Sequence, residues 1–232
     1  MAVWSAGMEI VLIRHGQPEW VRDDLNVVDP PLTDLGHAQA ARMAEALADE
    51  HFDEVFASPL TRARQTAAPL FEALGREERI APWLEEIRDP AWHGTPAEKA
   101  QHAYDELRSR PAEERWHGLV DGESVRDFTD RIRSGSSDFF AERGMVRAEA
   151  DLPVWSIAEP GARIALVAHA GTNSTTIAML LGMEPTPWEW DRFVLGHTSI
   201  SRLEALPLGD GHTFSLTRLS DVEHLDADQR TR

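Results

Sequence analysis

Two short stretches of the chain each join an apolar run to a histidine. Ile10 to Ile13 leads directly into Arg14-His15-Gly16, and Ala162 to Ala168 leads into His169-Ala170-Gly171-Thr172. Short apolar runs rich in β-branched residues predict buried strands of a parallel sheet. Ligands bind at the carboxyl ends of such strands in open α/β sheets. We therefore expect His15 and His169 at a ligand site, which Arg14 would make attractive to anions.

Arg62 is expected close to the start of a helix. Glu54 to Ala57 predicts a strand, with Ser58 as the N-cap of the following helix and Pro59 as its first residue. A basic side chain in the first turn opposes the helix dipole, and a bound anion would remove that conflict. The alternative of a solvated arginine fits Arg64 better than Arg62.

A carboxyl group completes the set of chemically capable residues. Glu85-Glu86 follows a third predicted extended segment, Ile80 to Leu84. Two histidines, two arginines and a carboxyl make a poor metal site, because cations repel a metal ion. They suit transfer of a phosphoryl group to a histidine, since arginines can neutralise the phosphoryl oxygens. The carboxylic acid can protonate the leaving oxygen and then accept a proton from the attacking water.

The remaining patterns predict an α/β domain that spans residues 1–232 and carries a lid. Residues 88–160 are mostly polar and helical, and we interpret them as an insertion that covers the site. Further predictions are an Ala-rich helix from Asp34 with Thr33 as N-cap, a mobile connection over 145–161, edge-type strands over 198–206 and 213–219, and a frayed tail over 221–232.

Composition excludes several classes of function. The 232-residue chain has no cysteine, which removes thiol catalysis, thiolate metal sites and disulfides. The net charge of -17 argues against nucleic acid and anionic membrane surfaces as partners. No apolar run is long enough to cross a membrane, and the first seven residues lack the basic and apolar regions of a signal peptide. The expected location is the cytoplasm.

Six segments in order resemble the histidine phosphatase superfamily, the phosphoglycerate-mutase-like group, in its phosphatase branch. Arg-His-Gly alone is a weak motif, but the ordered set is very specific and covers nearly the whole chain. The matching segments are L-I-R-H-G-Q-P-E-W at 12–20, P-L-T-D-L-G-H-A-Q-A at 31–40, A-S-P-L-T-R-A-R-Q-T-A at 57–67, W-L-E-E-I at 83–87, D-G-E-S-V-R-D-F at 121–128 and L-V-A-H-A-G-T at 166–172.

The resemblance implies a role for each of the five residues. His15 would be the phosphorylated nucleophile, Glu86 the proton donor, and Arg14, Arg62 and His169 the phosphate pocket. It also implies a three-layer α/β sandwich with a mostly parallel, mixed central sheet, and no metal or cofactor. The substrate would be a small phosphorylated metabolite. Further substrate contacts are expected from Gly16, Gln17, Val21, Asn26, Gly171 and Thr172.

The chain departs from the family pattern at two places. Val21 stands where the family often has an asparagine that touches the phosphate, and Asn26 is the candidate to replace it. Pro90 replaces the first glycine of a common Gly-x-Trp-x-Gly pattern, which affects the expected lid contacts.

Three functions are consistent with the sequence: a metal-independent phosphomonoesterase, a phosphoglycerate-type mutase, and a non-catalytic phospholigand-binding protein. The long basic segment of the true mutases is absent, and Lys99 is the single lysine. A homodimer through an edge strand is also compatible with the sequence. Among the other histidines, His197 is the best candidate to lie near the site.

Overall fold

The computed structural model describes residues 7–148 and 151–232. The strands are β1 (Glu9–Arg14), β2 (Val21–Arg22), β3 (Leu25–Asn26), β4 (Glu54–Ala57), β5 (Met145–Arg147), β6 (Trp155–Ile157), β7 (Arg163–Ala168), β8 (Ile200–Leu208) and β9 (Gly211–Asp221). The α-helices are α1 (Asp34–Leu47), α2 (Thr61–Ala73), α3 (Ala97–Ser109), α4 (Val125–Ala141), α5 (Ala170–Leu180) and α6 (Glu189–Arg192). Short 3₁₀ helices occupy Pro82–Leu84, Ala112–His117 and Ala227–Gln229.

Seven strands form one mixed sheet in the order β4-β7-β1-β8-β9-β6-β5, and β2 and β3 pair separately. The predicted mixed α/β fold is confirmed, but only two of the six pairings in this sheet, β4–β7 and β7–β1, are parallel. The sheet is therefore mostly parallel only in the half that carries the histidines. The other half is built from antiparallel hairpins.

Helices cover both faces of β1, and the alternation of its side chains explains why. Ile10 and Leu12 belong to one buried cluster, with residues of α4 and α5 such as Phe140 and Ile177. Val11 and Ile13 belong to the opposite cluster, with residues of α1 and α2 such as Met43, Leu47 and Leu70. Successive side chains of a strand point to opposite faces, so a continuous apolar run is required for burial on both sides.

The loop that follows β1 is packed against α1 through two glycines. A Cβ atom on Gly16 would lie 2.6 Å from the Gly36 carbonyl oxygen, and one on Gly36 would lie 2.2 Å from the Gln17 carbonyl oxygen. Thr33 is the N-cap of α1, as predicted, and its hydroxyl accepts the Gly36 N–H at 3.0 Å. The glycines therefore allow the backbone beside His15 to rest directly on the helix.

The start of α2 differs from the prediction. The helix begins at Thr61 rather than Pro59, and Ser58 does not cap it. The carboxylate of Asp29 accepts hydrogen bonds from the Thr61 N–H at 2.8 Å and its hydroxyl at 2.7 Å. An anion does occupy this helix N-terminus, but a side chain of the chain itself supplies it.

Other predictions about the elements were wrong in part. Ile80 makes one isolated parallel bridge to Ala57, and a 3₁₀ helix follows instead of an extended segment. The predicted connection over 145–161 contributes β5 and β6 to the sheet, where Trp155 is buried. Residues 149 and 150 of that segment lie outside the described part. The predicted edge strand over 198–206 is β8, which lies between β1 and β9.

The tail after β9 is packed rather than frayed. Leu225 is buried, and the Gln39 side-chain amide donates to the Gln229 carbonyl oxygen at 2.6 Å and to the Thr231 hydroxyl at 2.9 Å. Gln39 itself is fully buried in α1, so the tail satisfies a polar group of the interior.

The predicted insertion over 88–160 contains two different parts. Helix α3 and the following 3₁₀ helix bury none of their side chains, as expected of a cover. In contrast, α4 contributes Phe139 and Phe140 to the main core, and β5 and β6 extend the sheet. The single-domain organisation and the dimer through an edge strand stay predictions. No helix in the described ranges is long and apolar enough to cross a membrane.

The contact between the two glycines generates a stability prediction. Gly36→Ala should lower the free energy of unfolding by roughly 1–3 kcal/mol, because the new methyl group meets backbone that cannot rotate away. This figure is the net change, because Gly36 lies in the first turn of α1, where alanine gains less than the roughly 1 kcal/mol that it gains over glycine in a helix interior. Urea unfolding measures the difference. Gly161→Ala is the matched control, because nothing lies within 4 Å of its added Cβ. A Gly36→Ala protein as stable as the parent would refute the packing argument.

Candidate active site

The two histidines meet because β1 and β7 are parallel neighbours in register. Arg14 is opposite Ala168, so His15 and His169 follow at the same edge of the sheet. The His15 N–H donates to the Ala168 carbonyl oxygen at 2.9 Å, and the two imidazole centroids are 5.1 Å apart. The carboxyl edge of the parallel half thus brings both rings into one pocket, as the sequence predicted.

His15 is held in a defined protonation state. Its Nδ1 lies 2.8 Å from the Gly16 carbonyl oxygen, which can only accept, so Nδ1 carries the proton and Nε2 keeps its lone pair. Burial, followed by the charges of Arg62 and the nearby groups, holds the pKa of His15 well below its ordinary value. The ring is neutral at physiological pH, with Nε2 available as a nucleophile.

His169 is buried, and one of its nitrogens has no partner. Nε2 lies 2.7 Å from the Ser58 hydroxyl, whereas Nδ1 makes no hydrogen bond with any described residue. Burial and the neighbouring arginines hold the pKa of His169 well below its ordinary value. This buried nitrogen is therefore available to form a hydrogen bond with a bound ligand. The sequence does not indicate this contact of Ser58, because Ser-Pro also matches a helix start.

Arg62 reaches the pocket from the first turn of α2. Its side chain is almost completely buried, and its Nε has no hydrogen-bond partner among the described residues. Trp20 stacks on the guanidinium at 4.8 Å, and the Asp29 carboxylate is 3.8 Å away. Burial lowers the pKa of Arg62, but an arginine remains charged at neutral pH.

Arg14 is fixed by groups that come from the end of the chain. One terminal nitrogen donates to the Leu195 carbonyl oxygen at 2.6 Å, and the other lies 3.1 Å from His197 Nε2. Arginine can only donate, so His197 accepts at Nε2 and its Nδ1 proton faces the Thr231 hydroxyl at 2.8 Å. Burial lowers the pKa of His197 to about 3 and that of Arg14 to about 10. The buried Nε of Arg14 has no partner among the described residues.

Glu86 faces the arginines, and its neighbour faces outward. Its two carboxyl oxygens accept the N–H groups of Ile87 at 3.0 Å and Gly171 at 2.8 Å. Burial raises its pKa although both N–H groups and the arginines oppose that shift. Glu85 instead pairs with Arg88 at 2.7 Å.

The backbone on either side of Glu86 is held from α4. The Arg131 guanidinium donates to the carbonyl oxygens of Glu85 at 3.0 Å and Glu86 at 3.2 Å. Glu123 accepts from the same guanidinium at 2.8 and 2.9 Å. A helix of the predicted insertion therefore positions the carboxyl group.

Four of the residues predicted to contact substrate make hydrogen bonds within the protein, and their contacts with substrate stay predictions. The Gly16 N–H donates to the Thr66 hydroxyl, and the Gln17 side chain accepts from Thr33. The Gly171 N–H donates to the Glu86 carboxylate. Thr172 is fully buried, and its hydroxyl donates to the Leu84 carbonyl oxygen at 3.4 Å. These residues position the groups around the site.

Val21 and Asn26 do line the cleft in front of the pocket. Val21 is 45% exposed and offers no hydrogen-bonding side chain. The Asn26 amide donates to the Thr95 hydroxyl at 3.2 Å and the Pro96 carbonyl oxygen at 2.8 Å. Both of its amide hydrogens are used, so it has none to offer a phosphate.

The pocket opens into a cleft of about 1010 Å³. Its walls come from the β2–β3 hairpin, the start of α2, residues 85–92 and helix α3. The described residues contain no group of three or more His, Asp or Glu side chains placed to hold a metal ion.

Fold and site together define a class: an α/β protein whose parallel edge gathers two histidines, two arginines and a carboxyl for phosphoryl chemistry. The family model of the histidine phosphatase superfamily (branch 1) matches residues 10–220. The chain belongs to this superfamily.

Proteins similar to this chain include both phosphatases and probable mutases. Phosphoserine phosphatase 1 of Hydrogenobacter thermophilus is 31% identical over 129 residues, which cover 54% of this chain and 61% of the relative. A probable phosphoglycerate mutase of Escherichia coli O1:K1 is 25% identical over 95% of this chain and 96% of its own length. A solved mycobacterial glucosyl-3-phosphoglycerate phosphatase has a TM-score of 0.66 and 25% identity, and the match covers 93% of this chain and 99% of that one.

The contrast between Arg62 and Arg64 gives a test of the anion pocket. Arg62→Ala should weaken the binding of inorganic phosphate by roughly tenfold or more, because a charge-assisted hydrogen bond is lost in a buried site. Arg64 lies on the same helix but is exposed and paired with Glu78, so Arg64→Ala is the control. Isothermal titration calorimetry measures the affinity of each variant for inorganic phosphate. Equal affinities of the two variants would show that Arg62 does not contact the anion.

Proposed function

We propose that this protein is a phosphomonoester hydrolase that acts through a phosphohistidine at His15. The observation that carries the proposal is the state of His15. Its Nδ1–H donates to the Gly16 carbonyl oxygen, which leaves Nε2 with its lone pair. The ring lies 5.1 Å from that of His169 and close to Arg14 and Arg62, and all three side chains have a buried nitrogen without a partner among the described residues. The phosphatases among the relatives support the same conclusion.

In the first step, Nε2 of His15 attacks phosphorus, and the bond from phosphorus to the ester oxygen breaks. Arg14 and Arg62 neutralise the phosphoryl oxygens as charge spreads over them, and His169 completes the cradle. Glu86 gives its proton to the leaving oxygen, so the alcohol departs neutral. Burial raises the pKa of Glu86, which favours the protonated form that this step needs.

In the second step, Glu86 accepts a proton from water as the water oxygen attacks the phosphohistidine. The bond from nitrogen to phosphorus breaks, and inorganic phosphate leaves with His15 neutral again. We propose that no metal or other cofactor takes part, since the arginines supply the charge that a metal would provide. Our proposal keeps the cytoplasm as the location and a small phosphorylated metabolite as the substrate. It assigns the covering role of the predicted insertion to α3 and the residues beside it.

Replacement of the nucleophile tests the proposal directly. His15→Ala should lower the hydrolysis of p-nitrophenyl phosphate by at least roughly 10³-fold, since no other group can form the intermediate. The assay contains EDTA. His117→Ala, at an exposed position, is the matched control. Rapid quenching with a ³²P-labelled substrate should trap an acid-labile label in the parent and none in His15→Ala. An active His15→Ala protein would refute the mechanism, and a label that never turns over would favour the non-catalytic alternative.

The mutase alternative predicts a different product. The hydrolase should release inorganic phosphate from 3-phosphoglycerate, if it accepts that substrate at all, without forming 2-phosphoglycerate. Phosphorus NMR distinguishes these products in one sample. Isomerised product in excess of free phosphate would establish the mutase.

The role of Glu86 predicts a substrate-dependent effect and a pH profile. Glu86→Gln should lower turnover of alkyl phosphates by roughly 10²-fold or more, and that of aryl phosphates much less, because a good leaving group needs little protonation. For alkyl esters the parent should lose activity as pH rises through the raised pKa of Glu86. Its acid limb should lie well below pH 6.5, because His15 stays neutral there. The variant should lack the alkaline limb due to Glu86, whereas equal losses on both ester types would contradict the assignment.

A further inference from the structure

The cleft outside the phosphate pocket is negatively charged. We call this part the outer cleft. It is lined by five carboxylates, Asp29, Glu85, Asp89, Glu98 and Asp105, and by Arg88, Trp92, Tyr104 and Arg108. Arg88 and Arg108 are the arginines of this region. Each is already paired, Arg88 with Glu85 at 2.7 Å and Arg108 with Asp105 at 3.1 Å. The outer cleft therefore has carboxylates in excess and no uncommitted arginine among its described residues.

Asp89 is the carboxylate best placed to meet a ligand. It follows Glu86 by three residues; burial raises the pKa of its carboxyl group, and the Tyr104 hydrogen bond and the charge of Arg62 oppose that shift. One of its oxygens accepts the Tyr104 hydroxyl at 2.7 Å, and the other accepts no hydrogen bond from any described residue. A carboxylate oxygen can only accept, so the group that completes it must be a donor.

The inner end of the same cleft has the opposite preference. Arg62 is almost completely buried, lines the cleft, and has an Nε without a partner. This arrangement calls for an anion at the inner end. A ligand that fits the whole cleft is thus negatively charged at one end and free of negative charge at the other.

Aromatic side chains supply apolar surface in the same cleft. Trp92 packs edge to face on Tyr104 with a centroid distance of 5.9 Å, and Trp20, which stacks on Arg62, is 44% exposed. Rings of this kind pack against the carbon skeleton of a ligand, while carboxylates accept from its hydroxyl or ammonium groups.

We propose that the substrate is the monophosphate of an alcohol that carries hydroxyl or ammonium groups and no second negative charge, and that Asp89 enforces this preference. The inference rests on the proposed hydrolase function and adds its substrate class. A carboxylate or a second phosphate on the leaving group would be placed against Asp89 with no arginine free to neutralise it. The phosphoglycerates of a mutase belong to the excluded class.

A pair of substrates with the same carbon skeleton tests the inference. Glycerol 3-phosphate and 3-phosphoglycerate differ by a hydroxymethyl group against a carboxylate. The kcat/KM ratio should favour glycerol 3-phosphate by at least roughly tenfold, because like charges placed together are strongly disfavoured. The ratio should shrink as salt is added, since salt screens the repulsion. O-Phosphoethanolamine in the same series separates a preference for ammonium from one for hydroxyl.

Substitution then locates the effect. Asp89→Asn should bring the ratio to within about threefold of unity, because the amide keeps the shape but removes the charge. Glu72→Gln, an exposed carboxylate near the other end of α2, is the control and should keep the parent ratio. Urea unfolding checks that Asp89→Asn is folded. The kcat/KM ratio of the parent protein tests the charge preference without any substitution.

The outcomes distinguish a failure of the charge preference from a failure of the proposed hydrolase function. Hydrolysis of p-nitrophenyl phosphate together with an equal or greater rate on 3-phosphoglycerate would overturn the charge preference and leave the hydrolase intact. A ratio that Asp89→Asn does not change would remove Asp89 from its role. A protein that hydrolyses none of these esters would overturn both proposals.

Discussion

The concentration of positive charge around His15 is the constraint on which the rest of the site depends. Arg14 and Arg62 lie beside two buried imidazoles, so protonation of either ring would add a third charge to a poorly hydrated pocket. Both histidines are therefore neutral, and each arginine retains a buried Nε–H that can donate to a bound anion. The same burial keeps a proton on Glu86 more readily than in water. The burial of these groups thus favours a neutral nucleophile, an anion site and a protonated acid at the same time.

Groups around the pocket offset the repulsion between its positively charged side chains. Asp29 places a carboxylate beside Arg62 and caps α2, and His197 accepts a hydrogen bond from Arg14. Arg131 holds the backbone of Glu86 through carbonyl oxygens, and the N–H groups of Ile87 and Gly171 orient its carboxyl group. These supports come from a loop, a strand boundary and a helix far apart in the chain. The pocket is consequently a product of the whole fold.

The sequence predicted those features that depend on local pattern. The apolar runs before His15 and His169 identified the parallel strands, and parallel pairing alone brings the rings to one edge. Features that depend on tertiary contacts escaped it. Ser58 matches a helix cap but instead contacts His169, and the packed tail has the composition of a frayed one. The strands β5 and β6 are only three residues each, too short for a pattern to distinguish them from a loop.

The position of β1 has a consequence for how the chain folds. Both neighbours of this strand come from the second half of the sequence: β7 on one side and β8 on the other. The carbonyl oxygen of His15 accepts a hydrogen bond from the Thr198 N–H, and the backbone N–H of His15 donates to the Ala168 carbonyl oxygen. During synthesis the apolar strand that bears the nucleophile must therefore wait, unpaired, for most of the chain to emerge. Such long-range pairing is slow and leaves aggregation-prone strand edges exposed until β7 and β8 have been made.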